Sequence, residues 1–205
     1  MTDGVSAGIL AGGASTRMGA DKALLDFRGR PLIAHQLEIL RGIFGDVLIG
    51  ANDPEPYASF GARVVPDLLE ERCSLTGVHA LISAATTRHI FVVACDLPFL
   101  NPELIRRLLK PSEGVDVVLP VTKRGPEPLH AVYSKGCLLA IEAAARQGVW
   151  KMTGFMKNVS VARVPIKEAD WKVDGRSPFL NANTPQEWRS AGPHGSRPGH
   201  PPGPG

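Results

Sequence analysis

The residues best suited to chemistry form one glycine-rich stretch, Leu10-Ala11-Gly12-Gly13-Ala14-Ser15-Thr16-Arg17-Met18-Gly19-Ala20-Asp21-Lys22-Ala23-Leu24-Leu25, directly after a short apolar run. Glycines and small side chains let a backbone approach a ligand closely, and successive amide N–H groups can converge on anionic oxygens. Arg17 and Lys22 add two fixed positive charges to the same loop. This combination suits a nucleoside triphosphate, whose phosphates need several donors and cations. Spacing excludes two familiar phosphate-binding patterns. A P-loop needs Gly-Lys followed by Ser or Thr, whereas Lys22 lies between Asp21 and Ala23, and no GxGxxG fingerprint follows the first strand. The bland alternative is a flexible turn with two solvated cations. Its position straight after a buried strand weighs against that.

A second candidate is Asp96, at the end of the run Ile90-Phe91-Val92-Val93-Ala94. An ionised carboxylate there is costly unless it meets a cation or strong donors. Mg²⁺ binds one or two carboxylates together with phosphate oxygens and water, so a single Asp beside a triphosphate makes a reasonable site. The competing role is a cap on the turn before Pro98. Other candidates are bland. His35 and His79 fall within helical stretches, His130 beside Leu129 and Ala131 is ambiguous, and Cys95 reads as a small core residue. Asn52 and Asp67 sit in Asn-Asp-Pro and Pro-Asp, which are ordinary turn sequences.

Elements must position these residues, and the pattern supplies them. Val5 to Leu10 reads as a strand, and Ile33, Leu37, Leu40 and Phe44 recur at helical spacing within Pro31 to Phe44, with Pro31 in the first turn. Val47 to Ile49 and Val64-Val65 follow as strands, then Val78 to Ala85 as a helix. Ile90 to Ala94 has the continuous apolar character of a strand covered on both faces. Asn101-Pro102-Glu103 gives a cap, a first-turn proline and an acidic residue for a helix to Leu109. Val115 to Val121 and Leu129 to Tyr133 read as strands, Cys137 to Arg146 as a helix, and Val159 to Val164 as a further strand. Thr184-Pro185-Gln186-Glu187 fits a capping box. Strands alternating with helices imply a three-layer α/β domain with a mostly parallel sheet, which binds ligands beyond the carboxyl ends of its strands.

Composition narrows the class. Among 205 residues, 23 basic and 20 acidic side chains leave a net charge of +3, which does not suggest a nucleic-acid binder. Residues 1–190 are expected to form a single domain. The stretch Ala191 to Gly205 holds five of the 18 prolines and five of the 22 glycines, so it is expected to be a disordered tail. Three widely spaced cysteines, Cys73, Cys95 and Cys137, lack CxxC pairing and fit a reducing cytoplasm. The amino-terminal residues do not read as a signal peptide, and no run approaches the length of a membrane helix.

The stretch from Leu10 to Leu25, followed by Gly29 and Pro31-Leu32, resembles the signature of the molybdenum cofactor guanylyltransferases, which have a Rossmann-like nucleotidyltransferase fold. Later segments agree with the resemblance: Asn52, Val65-Pro66-Asp67, Cys95-Asp96-Leu97-Pro98-Phe99-Leu100 and Phe179-Leu180-Asn181-Ala182-Asn183-Thr184-Pro185. Cys73-Ser74-Leu75-Thr76-Gly77-Val78 departs from the usual Gly-Pro-Leu-Ala-Gly-Ile, keeping Leu75 and Gly77.

The resemblance implies transfer of GMP from GTP to the terminal phosphate of molybdopterin, with Mg²⁺ as cofactor and pyrophosphate as leaving group. It implies that Lys22 contacts the α-phosphate, Arg17 the outgoing phosphates, and Asp96 the metal, with Asn183 and less directly Asn181 close by. Guanine needs acceptors for its N1–H and N2–H₂ edge, which Asn52 and Asp67 could supply, while the Leu10-Ala11-Gly12 backbone contacts the base. Gly12 and Gly13 leave room for a purine, which favours GTP over CTP. Lys123 and Arg124 could attract the pterin phosphate or simply be solvated. A monomer that passes its product to molybdoenzyme chaperones is expected. A cytidylyltransferase, a transferase acting on another phosphorylated acceptor, and a non-catalytic nucleotide-binding module remain as alternatives.

Overall fold

The computed structural model describes residues 4–11, 21–112 and 114–181. In chain order the strands are β1 (Val5–Leu10), β2 (Asp26–Phe27), β3 (Arg30–Pro31), β4 (Val47–Gly50), β5 (Arg63–Val65), β6 (His89–Ala94), β7 (Val117–Thr122), β8 (Gly125–Pro126), β9 (His130–Ser134) and β10 (Val161–Pro165). The α-helices are α1 (Leu32–Arg41), α2 (Ser74–Ala84), α3 (Pro102–Leu109) and α4 (Cys137–Arg146).

The main sheet runs β10-β7-β9-β6-β1-β4-β5, with β8 paired to β7. The pairs β1/β4, β1/β6, β4/β5 and β7/β10 are parallel, and β9 is antiparallel to both of its neighbours. With only β9 and the two-residue β8 running against the rest among the described strands, the sheet matches the mostly parallel expectation. The reversal was not legible in Leu129 to Tyr133, because local patterning carries no strand direction.

Alternation along β6 explains its unbroken apolar run. Phe91 and Val93 join α1 and α3 in one core, with Ile33, Leu37, Leu40, Leu104, Ile105 and Leu108. Ile90 and Val92 point the other way, into a second core with Leu75, Val78, Leu81 and Ile82 of α2 and Ile141 of α4. Helices therefore cover both faces. Gly8 and Gly50 admit Leu81 of α2, since a Cβ at either would lie 2.9 Å and 3.2 Å from that side chain.

Two helix starts differ from the sequence reading. Pro31 is the extended residue before α1 and pairs with Asp26, so the helix begins one residue later. Helix α1 also ends at Arg41, although Phe44 remains in the core through a bond from its N–H to the Leu40 carbonyl, 2.8 Å. Helix α2 starts at Ser74 rather than Val78. The Thr76 hydroxyl accepts from the Cys73 N–H at 3.2 Å and contacts the Cys73 carbonyl at 2.8 Å, so the altered Cys73-Ser74 segment still opens a helix.

His130 loses its ambiguity. It is fully buried between Phe91 and Phe179, with ring centroids 5.1 Å and 5.0 Å away, and neither ring nitrogen has a hydrogen-bond partner among the described residues. Burial lowers its pKa to about 3. The unfolded chain therefore binds a proton that the folded chain refuses, so stability is complete above the ordinary histidine range and falls as pH drops from ~6.5 toward 3. Between pH 7.5 and 5 this should cost the wild type about 2 kcal/mol relative to His130→Leu. Urea midpoints of both proteins at the two pH values check it; equal pH dependence would refute it.

Candidate functional site

Register places the carboxyl ends of four strands in one row. Leu10 of β1 pairs with Gly50 of β4 and Ala94 of β6, and Gly50 pairs with Val65 of β5. The ladder continues one step further: Ala11 N–H donates to the Gly50 carbonyl at 2.9 Å, Cys95 N–H to Leu10 at 3.1 Å, and Ala51 N–H to Val65 at 3.0 Å. Consequently Ala11, which opens the glycine-rich stretch, and Asn52, Asp67 and Asp96 all follow strands that end at the same edge. After β1 the chain fills β4 and β5 on one side before returning to β6 on the other. Such a switch in strand order opens a crevice beyond the strand ends, where α/β sheets bind ligands.

Lys22 and Asp96 meet there, Nζ to Oδ2 at 3.9 Å. Burial raises the Asp96 pKa, and the Lys22 charge acts against that rise. The other carboxylate oxygen, Oδ1, is buried without a hydrogen-bond partner among the described residues. A buried anionic oxygen left in this state favours an incoming cation. Among the described residues no three His, Cys, Asp or Glu side chains cluster as a metal cage. One carboxylate with phosphate oxygens and water satisfies Mg²⁺ without such a cage, so the residues present fit that ion.

Lys22 begins a short 3₁₀ turn, Lys22–Leu24, that Asp21 caps by accepting from the Ala23 N–H at 3.0 Å. The Tyr57 hydroxyl donates to the second Asp21 oxygen. Burial first, and the Asp21 carboxylate second, push the Tyr57 phenol up, so it stays a neutral donor. Tyr57 was not foreseen, since nothing in Glu55-Pro56-Tyr57 points toward the loop.

Asn52 and Asp67 form a reciprocal pair. The Asn52 amide donates to Asp67 Oδ2 at 2.9 Å, and its carbonyl oxygen accepts from the Asp67 N–H at 2.8 Å. Asn52 thus orients Asp67. Gly77 in the first turn of α2 sits against the same place, where a Cβ would come within 2.3 Å of Leu10 Cδ1 and 3.4 Å of Asp67 Oδ1. A side chain at this position would force Leu10 or α2 to shift. Gly12, Gly13, Arg17 and Asn183 lie outside the described residues, as do the capping box at Thr184 and the tail from Ala191.

Residues 7–160 match the family of the MobA-like NTP transferase domain. A protein of Pelotomaculum thermopropionicum named "probable molybdenum cofactor guanylyltransferase" is 40% identical over 179 residues, 87% of each chain. The molybdenum cofactor guanylyltransferase of Desulfosudis oleivorans is 35% identical over 191 residues, 92% of this chain and 95% of its own. The chain belongs to the MobA-like NTP transferases. It is an enzyme of the nucleotidyltransferase class. Among solved structures, molybdopterin-guanine dinucleotide biosynthesis protein A from Archaeoglobus fulgidus superposes with a TM-score of 0.77 at 26% identity, covering 91% of this chain and 96% of that one.

In this MobA-like chain a small satellite core ties three signature segments together. Phe27, Leu32 and Phe99 are buried against one another, with Leu25, Val173 and Leu180 packed around them. Leu25 extends the glycine-rich loop, Phe99 follows Asp96, and Leu180 precedes Asn181. The β2–β3 hairpin that carries Phe27 turns through Arg28 and Gly29, both at positive φ (59° and 83°), as a two-residue turn of the primed type requires. Arg124 is committed to the same region, donating to the Phe179 carbonyl at 3.0 Å and to Glu168 at 3.4 Å. Phe99→Ala should destabilise the protein by ~3–5 kcal/mol, as emptying an aromatic site usually does. Denaturant unfolding measures this, and a loss under 1 kcal/mol would show that the cluster is not a shared anchor.

Proposed function

We propose that this MobA-like chain transfers GMP from GTP to the terminal phosphate of molybdopterin, forming the guanine dinucleotide and releasing pyrophosphate. The names of its relatives support the substrates. The observation that carries the chemistry is the Lys22 ammonium facing the partly buried Asp96 carboxylate at the strand-order switch.

An oxygen of the acceptor phosphate bonds to the α-phosphorus, and the bond from that phosphorus to the bridging β-phosphate oxygen breaks, its electron pair leaving with pyrophosphate. The nucleophile needs no general base. A phosphate monoester has a second pKa near ~6 and is mostly dianionic at neutral pH. Catalysis is then positioning and charge stabilisation, with Lys22 at the α-phosphate and Arg17 at the departing phosphates. Asp96, with Asn183, would hold Mg²⁺, which neutralises charge on the phosphate oxygens when bound. Asp67, oriented by Asn52, accepts from the guanine N1–H and N2–H₂ edge, and the Leu10-Ala11 backbone contacts the base, with Gly12 and Gly13 chosen for the room that a residue without Cβ leaves a purine.

Cysteines 73, 95 and 137 are unpaired, and no described helix is long and apolar enough to cross a membrane. These features support a cytoplasmic enzyme, which we take to act as a monomer and to deliver its product to molybdoenzyme chaperones. The test is to supply the protein with Mg²⁺, molybdopterin and each nucleoside triphosphate in turn and to measure pyrophosphate. Release with GTP alone is expected. Equal release with CTP would overturn the guanine assignment, and none with any nucleotide would leave a binding module.

A further inference from the structure

Helix α1 buries Leu32, Ile33, Leu37 and Leu40, and in their midst it also buries Gln36, which is 0% exposed. A primary amide in such surroundings is costly unless it is hydrogen-bonded, and a leucine would fill the same place without that cost. The Gln36 Nε2 group donates to the Ala94 carbonyl at 3.0 Å and to the Leu97 carbonyl at 2.9 Å. These two carbonyls bracket Cys95 and Asp96. One planar nitrogen with two diverging N–H groups fixes the separation and direction of both acceptors, and so fixes the corner between them. The two carbonyls also decide which way the amide is turned, leaving Gln36 Oε1 buried with no partner among the described residues. The core gains nothing from that orphaned oxygen. What the amide secures is the backbone that aims Asp96.

We propose that Gln36 is a positioning residue of the phosphate and cation site: by holding the Ala94–Leu97 corner it sets the Asp96 carboxylate beside Lys22 in readiness for a divalent cation. This rests on the reading of Asp96 as the cation ligand. Among the described residues Asp96 Oδ1 has no hydrogen bond and Oδ2 meets Lys22 Nζ only at 3.9 Å, so the direction in which the backbone corner sends the carboxylate decides where it lies. Residues that orient a metal ligand typically change metal affinity by ~10–100-fold when removed.

The test uses the full chain with Mn²⁺ as probe, titrated in the presence of a GTP analogue whose α–β bridge cannot be cleaved, with free Mn²⁺ read by electron paramagnetic resonance. Gln36→Leu keeps the volume and deletes the donors; Gln36→Met does the same with an unbranched chain that avoids a packing clash. Thermal melting is recorded for both. Mn²⁺ affinity should fall by about tenfold or more in a variant that melts at or above the wild-type temperature, a combination that a purely structural glutamine does not produce. Asp96→Asn is the companion measurement. If Asp96→Asn abolishes Mn²⁺ binding while both folded Gln36 variants bind as the wild type does, the positioning role is overturned and the cation site stands. If Asp96→Asn itself binds Mn²⁺ normally, the reading of Asp96 fails and the proposal falls with it.

Discussion

Lys22→Ala should lower turnover by ~10²–10³ while changing GTP affinity much less. The reason is where charge develops. In the proposed reaction the ground-state α-phosphate carries only its ordinary charge, so one ammonium adds little that is unique to binding. As the acceptor oxygen arrives, the α-phosphorus becomes more crowded and its oxygens more negative, and a cation fixed beside them is then worth most. Lys22 is well placed for this role, because its short turn is capped by Asp21 and its Nζ lies beside Asp96 rather than in free solvent. Single-turnover kinetics separate the rate of transfer from nucleotide binding. Unchanged turnover in a folded variant would remove Lys22 from the reaction, and a loss confined to KM would make it a ground-state contact only.

Asp96→Asn should abolish most metal-dependent turnover, with a loss of 10² or more, while the variant melts no lower than the wild type. Both halves follow from the same carboxylate. It is the anionic oxygen pair that would bind a divalent cation, and the amide keeps its shape while discarding its charge. In the protein without metal, that charge is partly buried. Burial raises the Asp96 pKa, which means the folded state binds protons more tightly than the unfolded state over the interval above the ordinary carboxylate range. Stability of the metal-free wild type is therefore reduced as pH rises through that interval, and asparagine is spared this cost. Activity across a Mg²⁺ titration and melting without metal provide the two measurements. Wild-type turnover at the same Mg²⁺ concentration would dismiss Asp96 as the ligand; a melting temperature well below wild type would show that its carboxylate is a structural bond instead.

The features that depend on neighbours along the chain were legible in the amino-acid sequence. The apolar run at β6, the Asn101-Pro102-Glu103 start of α3 and the glycine-rich segment after β1 are local signals, and each marks its element because residues a few positions apart share a face or a turn. The same locality placed Lys22, Asn52, Asp67 and Asp96 after strand ends, so their gathering at one edge followed once the sheet was mostly parallel. Only the tertiary structure could decide the contacts that span long separations. Tyr57 reaches Asp21 across 36 positions, and Gln36 reaches Ala94 and Leu97 across 58 and 61. Neither pairing leaves a periodic trace: a glutamine on an apolar helix face looks like a lapse in amphipathicity until the partner carbonyls are seen. The reversed direction of β9 and the burial of His130 between two phenylalanine rings, without a hydrogen-bond partner among the described residues, were hidden for a related reason. Strand polarity and the absence of a hydrogen-bond partner are properties of what packs alongside a residue, and a linear pattern records only how polar that residue is.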